Sequence, residues 1–134
     1  MKAFFKSICY FILMAGVATS ASAAETQEPL GWRLGVASWS FNRFTLFDAI
    51  ERTAVIGLKY IEAFEGQQLE PGSETKLDVN MPNAAIDRLH ARLRSANVRL
   101  VSIYIHELST NEIECRKSFE FARKLGVETI VSEP

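Results

Sequence analysis

Hydrophobic and polar positions along the chain follow two periods, one typical of strands and one typical of helices. Short stretches with strand character predict four strands, at residues 34–41, 60–64, 99–106 and 128–132. Between them, apolar side chains recur every three or four residues and predict three helices, at residues 45–56, 82–96 and 109–125. This alternation of strands and helices is typical of an α/β protein with a parallel sheet.

The ends of the predicted helices carry recognisable signals. Thr45 with Asp48, and Ser109 with Glu112, have the spacing of a capping box at a helix start. The three helix–strand junctions repeat one pattern, in which Gly or Asn ends the helix and an apolar residue, a charge and a strand follow. These junctions are residues 56–61, 96–101 and 125–130. Gly and Asn tolerate the left-handed conformation of a helix end, so the repeat indicates successive βα units.

The faces of the predicted strands distinguish two arrangements of such units. Apolar and polar residues alternate along the third strand. The apolar residues are Val101, Ile103 and Ile105, and the polar face carries Ser102, Tyr104 and His106. A strand inside an open sheet has helices on both faces and usually reads apolar throughout. The alternation therefore favours a (β/α)8 TIM barrel, whose polar face looks inward, over the alternative of an open, flavodoxin-like sheet.

The length of the chain fits only part of a barrel. Eight βα units need about 250 residues, and the 134 residues here supply about four strands and three helices. The last residues, 132–134, directly follow a predicted strand. We therefore expect residues 32–134 to be the N-terminal half of a longer barrel protein, inactive by itself. Its unpaired strand edges would permit self-association.

The N-terminus predicts export. Lys2 and Lys6 precede a short apolar run, and residues 21–23 form a small-x-small cleavage site, so residues 1–23 have the pattern of a signal peptide. The alternative is an uncleaved N-terminal anchor. With cleavage, residues 24–31 become a flexible leader, and the protein is expected in the periplasm or secreted, without stable membrane association.

Charge and cysteine content exclude some classes of function. Cleavage would remove two of the 15 basic residues and none of the 16 acidic ones, so the net charge would change from −1 to −3. A protein that binds nucleic acid through its charge shows a basic stripe instead, and no nucleic-acid partner is expected. Only Cys115 would remain, which excludes an intramolecular disulfide.

Barrel enzymes place their active sites at the carboxyl ends of the strands. That rule selects Trp39, Ser40 and Phe41 after the first strand and Glu62, Phe64 and Glu65 after the second. It also selects His106 and Glu107 after the third strand and Glu133 after the fourth. The long polar loop at residues 66–79 follows the second strand and has the length of a lid or a substrate-contact segment.

Each candidate side chain has a functional and a structural interpretation. A carboxylate within a strand is costly to bury unless it is paired or bound to a cation, so Glu62 and Glu133 are candidate catalytic groups. An ion pair with a neighbouring strand is the alternative for Glu62. His106 could bind a sugar hydroxyl, move a proton or bind a metal, or could simply bond to a nearby loop. Trp39 could form an apolar wall for a sugar ring, or could pack in the core.

The opening strand and the junctions resemble a known family. Residues 34–41, followed by Phe44, Thr45 and a helix that runs into residues 56–62, resemble the start of the xylose isomerase-like TIM-barrel family, the sugar phosphate isomerase/epimerase group. Residues 119–126 and 129–134 resemble that family's third helix and fourth strand. The resemblance covers residues 32–134.

The resemblance implies a metal-dependent enzyme that moves a proton next to the carbonyl of a small carbohydrate. The family would use Mn²⁺, Mg²⁺ or Zn²⁺, held by carboxylates and histidines that lie mostly on later strands. Here Glu62 and Glu133 would be catalytic, Trp39, Phe64 and His106 would bind substrate, and Glu133 and His106 would be the metal candidates. A carbohydrate lyase or hydrolase, or a non-catalytic carbohydrate-binding barrel, remains the alternative.

Overall fold

The computed structural model describes residues 31–133, in which strands and helices alternate along the chain. The elements are β1 (Gly35–Ala37), a 3₁₀ helix (Ser38–Phe41), α1 (Leu46–Val55), β2 (Tyr60–Phe64), α2 (Asn83–Ala96), β3 (Arg99–Glu107), α3 (Glu112–Leu125) and β4 (Thr129–Glu133). The predicted signal peptide, nearly all of the predicted leader and Pro134 lie outside the described residues. Within residues 31–133, no helix has the length and apolar character needed to cross a membrane.

The four strands form one parallel sheet in the order β1-β2-β3-β4. Each helix therefore connects a strand to its immediate neighbour, always in the same direction across the sheet. Because βαβ crossovers are right-handed, this winding places all three helices on one face. A doubly wound sheet instead reverses its strand order at a switch point. The sequential order confirms the predicted α/β class and is that of half of a (β/α)8 barrel.

The two faces of the sheet differ in what covers them. One face, with Ile61 and Ala63 of β2 and Ile103 and Ile105 of β3, is buried against the helices. The helices contribute their own buried side chains to this core, among them Leu46, Ile50, Leu89 and Leu125. On the other face, polar and aromatic side chains of β2 and β3 are only half-buried. The predicted alternation of polar and apolar faces is therefore present.

The helix ends follow the predicted chemistry with one exception. Thr45 and Asp48 form the reciprocal hydrogen bonds of a capping box. Gly57, Asn97 and Gly126 all have positive φ, at 80°, 52° and 71°. The capping box predicted for Ser109 with Glu112 is wrong, because the cap lies two residues later, where the side chain of Asn111 accepts from the N–H groups of Ile113 and Glu114. These ends satisfy backbone groups that a helix leaves without partners.

Two strand details differ from the prediction. The first strand ends at Ala37, and residues Ser38–Phe41 form a 3₁₀ helix, since β2 pairs only with residues Gly35–Ala37. In β3 the pairing with β2 shifts register after Leu100. Leu100, rather than Val101, therefore joins the buried core, and Val101 is only half-buried. A bulge of this kind inserts one residue and re-aims the side chains that follow it.

Gly35 allows β1 and β2 to approach closely. A Cβ at this position would lie 2.8 Å from the carbonyl oxygen of Tyr60, its partner in the ladder. We expect Gly35→Ala to lower the free energy of unfolding by about 1–3 kcal/mol, because the added methyl group meets backbone rather than a flexible side chain. Urea unfolding measures this loss, with Leu34→Ala at the adjacent exposed position as the control. Equal stability of the two variants would contradict the close approach.

Candidate functional site

A cavity of about 660 Å³ opens at the carboxyl ends of the strands, on the face that the helices do not cover. It is lined by Ser38, Trp39, Glu62, Ala63, Phe64, Glu65, Tyr104, His106 and Glu133. Six of the nine residues that the strand-end rule selects lie around it, which are Trp39, Glu62, Phe64, Glu65, His106 and Glu133. The other three, Ser40, Phe41 and Glu107, do not line it. Parallel strands bring their carboxyl ends to one edge, so residues far apart in the chain meet there.

Other lining residues were not selected from the sequence. Tyr104 lies on the polar face of β3. The two-residue period of the strand already predicts that it shares this face with Ser102 and His106, so the sequence does indicate that Tyr104 faces inward. Ser38 had no signal, because its burial depends on the 3₁₀ helix that replaces the end of the predicted strand.

Two aromatic rings form one wall of the cavity. The ring of Trp39 meets the ring of Phe64 edge to face, with centroids 4.8 Å apart and planes at 75°. Trp39 is 61% exposed, so it is not the core residue that one interpretation expected. An edge-to-face contact fixes the relative orientation of two rings while leaving a ring face free. The pair can therefore present an apolar surface to a bound ring.

Glu62 lies in the middle of the inward face and is half-buried. Its Oε2 accepts a hydrogen bond from Ser102 Oγ, which is 2.8 Å away on the neighbouring strand. In β2 and β3 these residues are directly paired. Within residues 31–133, the partner of Glu62 is thus a hydroxyl rather than the lysine or arginine of the ion-pair alternative. The hydrogen bond orients the carboxylate toward the cavity without neutralising it.

Glu133, Tyr104 and His106 form a second polar group at the rim. Tyr104 Oη donates a hydrogen bond to Glu133 Oε1 at 2.5 Å, and His106 Nδ1 lies 3.2 Å from Tyr104 Oη and 3.7 Å from Glu133 Oε2. The β3–β4 pairing shifts register between Ile105 and Glu107, so His106 is the extra residue of a bulge. Its side chain is 77% exposed.

The hydrogen-bond directions in this group follow from a count of protons. Tyr104 has one hydroxyl proton, and that proton goes to the carboxylate of Glu133. The contact between His106 and Tyr104 then requires His106 Nδ1 to donate its own proton to Tyr104 Oη. In a neutral imidazole this leaves Nε2 as the acceptor. His106 can therefore accept a proton or bind a cation through Nε2.

The hydroxyl of Tyr104 is held in its protonated form. The pKa of Tyr104 is raised above the ordinary tyrosine value, first because the hydroxyl donates to Glu133 and then because burial and the negative charge of Glu133 disfavour the phenolate. Tyr104 is therefore a hydrogen-bond donor at neutral pH rather than a base.

Glu65 is a third carboxylate at the cavity, and its environment disfavours its charge. The pKa of Glu65 is raised, first by burial and second by the negative charge of Asp78. The folded protein therefore binds this proton more tightly than the unfolded chain does. As pH rises from the ordinary glutamate pKa through the raised one, the free energy of unfolding falls.

Glu65→Gln should remove this loss of stability. We expect the free energy of unfolding of the variant, minus that of the parent, to increase from about pH 4 to about pH 7. Urea unfolding at several pH values measures the difference. Glu74→Gln, which removes an exposed carboxylate from the loop that follows Glu65, is the control. A difference that stays flat, or that follows the Glu74→Gln difference, would contradict the assignment.

The loop at residues 66–79 is packed onto the domain and does not have the structure of an open lid. Its Leu69 and Leu77 are fully buried. Backbone bonds join Leu69 to Thr75 and Leu77 to Gln67 across the loop. Further bonds from the first residues of α1 to Gln68 and Leu69 fasten it to the helix start. The loop is therefore a supporting segment beside the cavity.

Two side chains at the rim of the cavity are of the types that bind divalent metal ions. An imidazole nitrogen and a carboxylate oxygen are ligands that Mn²⁺ and Zn²⁺ accept, and carboxylates suit Mg²⁺. His106 and Glu133 are adjacent at the rim. No group of three or more His, Cys, Asp or Glu side chains suited to a metal ion occurs within residues 31–133. The donor types fit such an ion, and the number is smaller than a complete set of ligands.

Comparisons with known proteins support the fold. No protein-family model matches the chain, and no curated protein matches it. The chain is similar to the crystal structure of an uncharacterised protein from Parabacteroides distasonis ATCC 8503, with 28% identity and a TM-score of 0.71 over 77% of this chain and 43% of that one. It is also similar to a sugar phosphate isomerase/epimerase from the same organism, with 15% identity and a TM-score of 0.53 over 76% of this chain and 39% of that one. The chain thus spans about two fifths of the length of these solved structures and shares its fold with them.

Proposed function

We propose that these strands form the N-terminal half of a barrel enzyme that isomerises or epimerises a sugar by moving a proton next to its carbonyl group. The observation that carries the proposal is the cavity, in which Glu62 and Glu133 lie beside the aromatic wall of Trp39 and Phe64. The fold shared with a sugar phosphate isomerase/epimerase supports it. The other strands of the barrel would complete the mouth.

Substrate binding would use the two sides of the cavity differently. The apolar C–H face of a sugar ring would pack against Trp39 and Phe64, because aromatic side chains bury large apolar areas. The hydroxyl groups of the sugar would bond to the carboxylates and to His106. Pockets that combine an apolar wall with a few oriented polar groups are typical of small-molecule sites.

Proton transfer would be carried out by the two carboxylates. One would remove the proton from the carbon beside the carbonyl, and the other would deliver a proton to complete the isomer. The hydrogen bond from Ser102 orients Glu62 for this task. The hydrogen bond from Tyr104 orients Glu133.

A divalent metal is part of the proposal. His106 and Glu133 would be the ligands from this segment, and the remaining ligands would come from other strands. When bound, Mn²⁺, Mg²⁺ or Zn²⁺ would polarise the sugar oxygens. The chemistry of this segment's own residues is to bind the ring, orient the carboxylates and move the proton.

Deuterium exchange tests the reaction class. The intact protein that contains this segment is incubated in D₂O with Mn²⁺ and a panel of aldoses, ketoses and their phosphates, and products are followed by NMR. The proposal predicts an isomeric product that carries deuterium on the carbon beside the carbonyl, and predicts that EDTA abolishes its formation. Loss of sugar without an isomer would point to a lyase or hydrolase, and binding without turnover would point to a carbohydrate-binding barrel; either result contradicts the proposal.

Export is a separate proposal, which rests on the N-terminal sequence pattern. We expect the protein in the periplasmic or secreted fraction, with Ala24 as its first residue. Fractionation followed by N-terminal sequencing measures both. A protein that stays membrane-bound with residues 1–23 attached would instead be anchored.

A further inference from the structure

Gln67 is a buried polar side chain just beyond the carboxyl end of β2. Its relative exposure is 2%, although it belongs to a loop of mostly polar residues. Burying an amide is costly unless both its oxygen and its nitrogen find partners. The position of those partners therefore indicates what the side chain holds in place.

Both partners of the Gln67 side chain lie on the segment that carries Trp39. Its Oε1 accepts from Ser38 Oγ at 2.8 Å, and its Nε2 donates to the carbonyl oxygen of Phe44 at 3.4 Å. Ser38 is itself fully buried. The two bonds thus fasten the segment from Ser38 to Phe44 at its beginning and at its end.

The backbone of Gln67 is fastened independently of its side chain. Its backbone N–H donates to the carbonyl oxygen of Phe64, with 3.3 Å between nitrogen and oxygen. Its own carbonyl oxygen accepts from the N–H of Leu77. Gln67 is therefore fixed relative to Phe64, which provides one ring of the aromatic wall, while its side chain reaches the segment that provides the other ring.

Trp39 has few other restraints. It is more exposed than the other two large aromatic side chains of the cavity, Phe64 and Tyr104, and it belongs to a 3₁₀ helix of four residues. Ala37, the residue directly before this helix, makes no side-chain hydrogen bond that would cap it. Short 3₁₀ segments have poorer hydrogen-bond geometry than an α-helix. The carbonyl oxygen of Trp39 accepts one backbone hydrogen bond, from the N–H of Asn42. The side-chain bond from the adjacent Ser38 to Gln67 adds a restraint at the start of the helix.

We propose that Gln67 is a positioning residue, which sets the aromatic wall of the cavity by holding the Ser38–Phe44 segment so that Trp39 stays edge to face against Phe64. The position of Trp39 follows from contacts in this chain alone. The consequence for binding the apolar face of a ring rests on the proposed function.

Fluorine NMR tests the position of Trp39 directly. Trp32 and Trp39 are the two tryptophans of the chain, so Trp32→Phe protein labelled with 5-fluorotryptophan has one resonance, from Trp39. Ser38→Ala and Gln67→Leu should each move this resonance by more than its width, in the direction produced by Phe64→Leu, which removes the partner ring. Gln68→Leu is the control, because its exposed side chain bonds to the carbonyl of Ser73 within the loop.

The result that overturns the proposal is a resonance that keeps its parent position in Ser38→Ala and in folded Gln67→Leu, or that moves equally in Gln68→Leu. Circular dichroism establishes which variants fold. If Gln67→Leu does not fold, Ser38→Ala decides alone, because it deletes one hydroxyl and leaves the backbone bonds of Gln67 in place.

Kinetics of the intact protein test the consequence for binding. With a sugar that the enzyme converts, Ser38→Ala should raise KM by about 2- to 10-fold, which corresponds to the binding free energy of one aromatic contact. The variant should change kcat less than KM. An equal loss in kcat with KM unchanged would overturn the link to the aromatic wall. If no sugar turns over at all, the proposed function fails, and the fluorine result still decides the role of Gln67.

Discussion

Glu62→Gln is expected to lower kcat/KM for sugar interconversion by the intact protein by about 10²- to 10⁴-fold, the usual contribution of a general acid or base. Glutamine has nearly the shape of glutamate, and its amide oxygen can still accept the hydrogen bond from Ser102 Oγ. The substitution therefore keeps the local structure and removes only the ability to take up a proton.

Initial rates at several substrate concentrations measure the effect, and deuterium incorporation from D₂O shows whether proton transfer is the step that is lost. Glu120→Gln is the matched control, because it makes the same chemical change at an exposed position of α3. Its kcat/KM should stay at the parent value. Parent-like activity of Glu62→Gln would remove Glu62 from the catalytic role and leave it a residue of the binding surface.

The architecture could be predicted from the sequence because its determinants are local. Gly57, Asn97 and Gly126 end their helices by adopting positive φ, and few residues other than Gly and Asn do this easily. The capping box of Thr45 and Asp48 depends on two side chains three residues apart. Alternation along β2 and β3 then separates the helix-facing side from the cavity side. These short-range features are sufficient to place Glu62 and Phe64 on the cavity side of β2.

The details that were missed depend on contacts between distant parts of the chain. Residues 34–41 alternate as a strand does, but β2 pairs only with the first part of them, and Ser38–Phe41 turns into a 3₁₀ helix. The bulge that places His106 at the rim is a property of the pairing of β3 with β4. Neither register can be read from one strand alone.

The polar interactions of the site could not be predicted from the sequence either, because they also join residues that are far apart in the chain. Gln67 belongs to a loop of mostly polar residues, and nothing in the neighbouring sequence indicates that its side chain is buried and bonded to a serine 29 positions earlier. Tyr104 and Glu133 meet because β3 and β4 are neighbours in the sheet. The sequence could identify the residue types and the edge of the sheet, while the partners required the fold.

Ile103→Ala should have the largest effect on stability, a loss of about 2–5 kcal/mol in the free energy of unfolding. Ile103 is fully buried in β3, a central strand, where its side chain packs against the helices. Truncation removes buried methyl groups and leaves a cavity that the surrounding strands cannot fill. Because domains of this size are stable by about 5–15 kcal/mol, the loss is a large fraction of the total.

Urea unfolding measures this loss as a lower midpoint at an unchanged slope. Ile113→Ala is the matched control, because Ile113 is 68% exposed on α3 and should lose no more than about 0.5 kcal/mol. If Ile103→Ala does not fold, Ile103→Val, with an expected loss of about 0.5–1.5 kcal/mol, provides the measurement. Similar losses at positions 103 and 113 would contradict the placement of the core on the helix-facing side of β3. That placement is also what directs the flanking Ser102 and Tyr104 toward the cavity, so the stability measurement tests the orientation on which the proposed site depends.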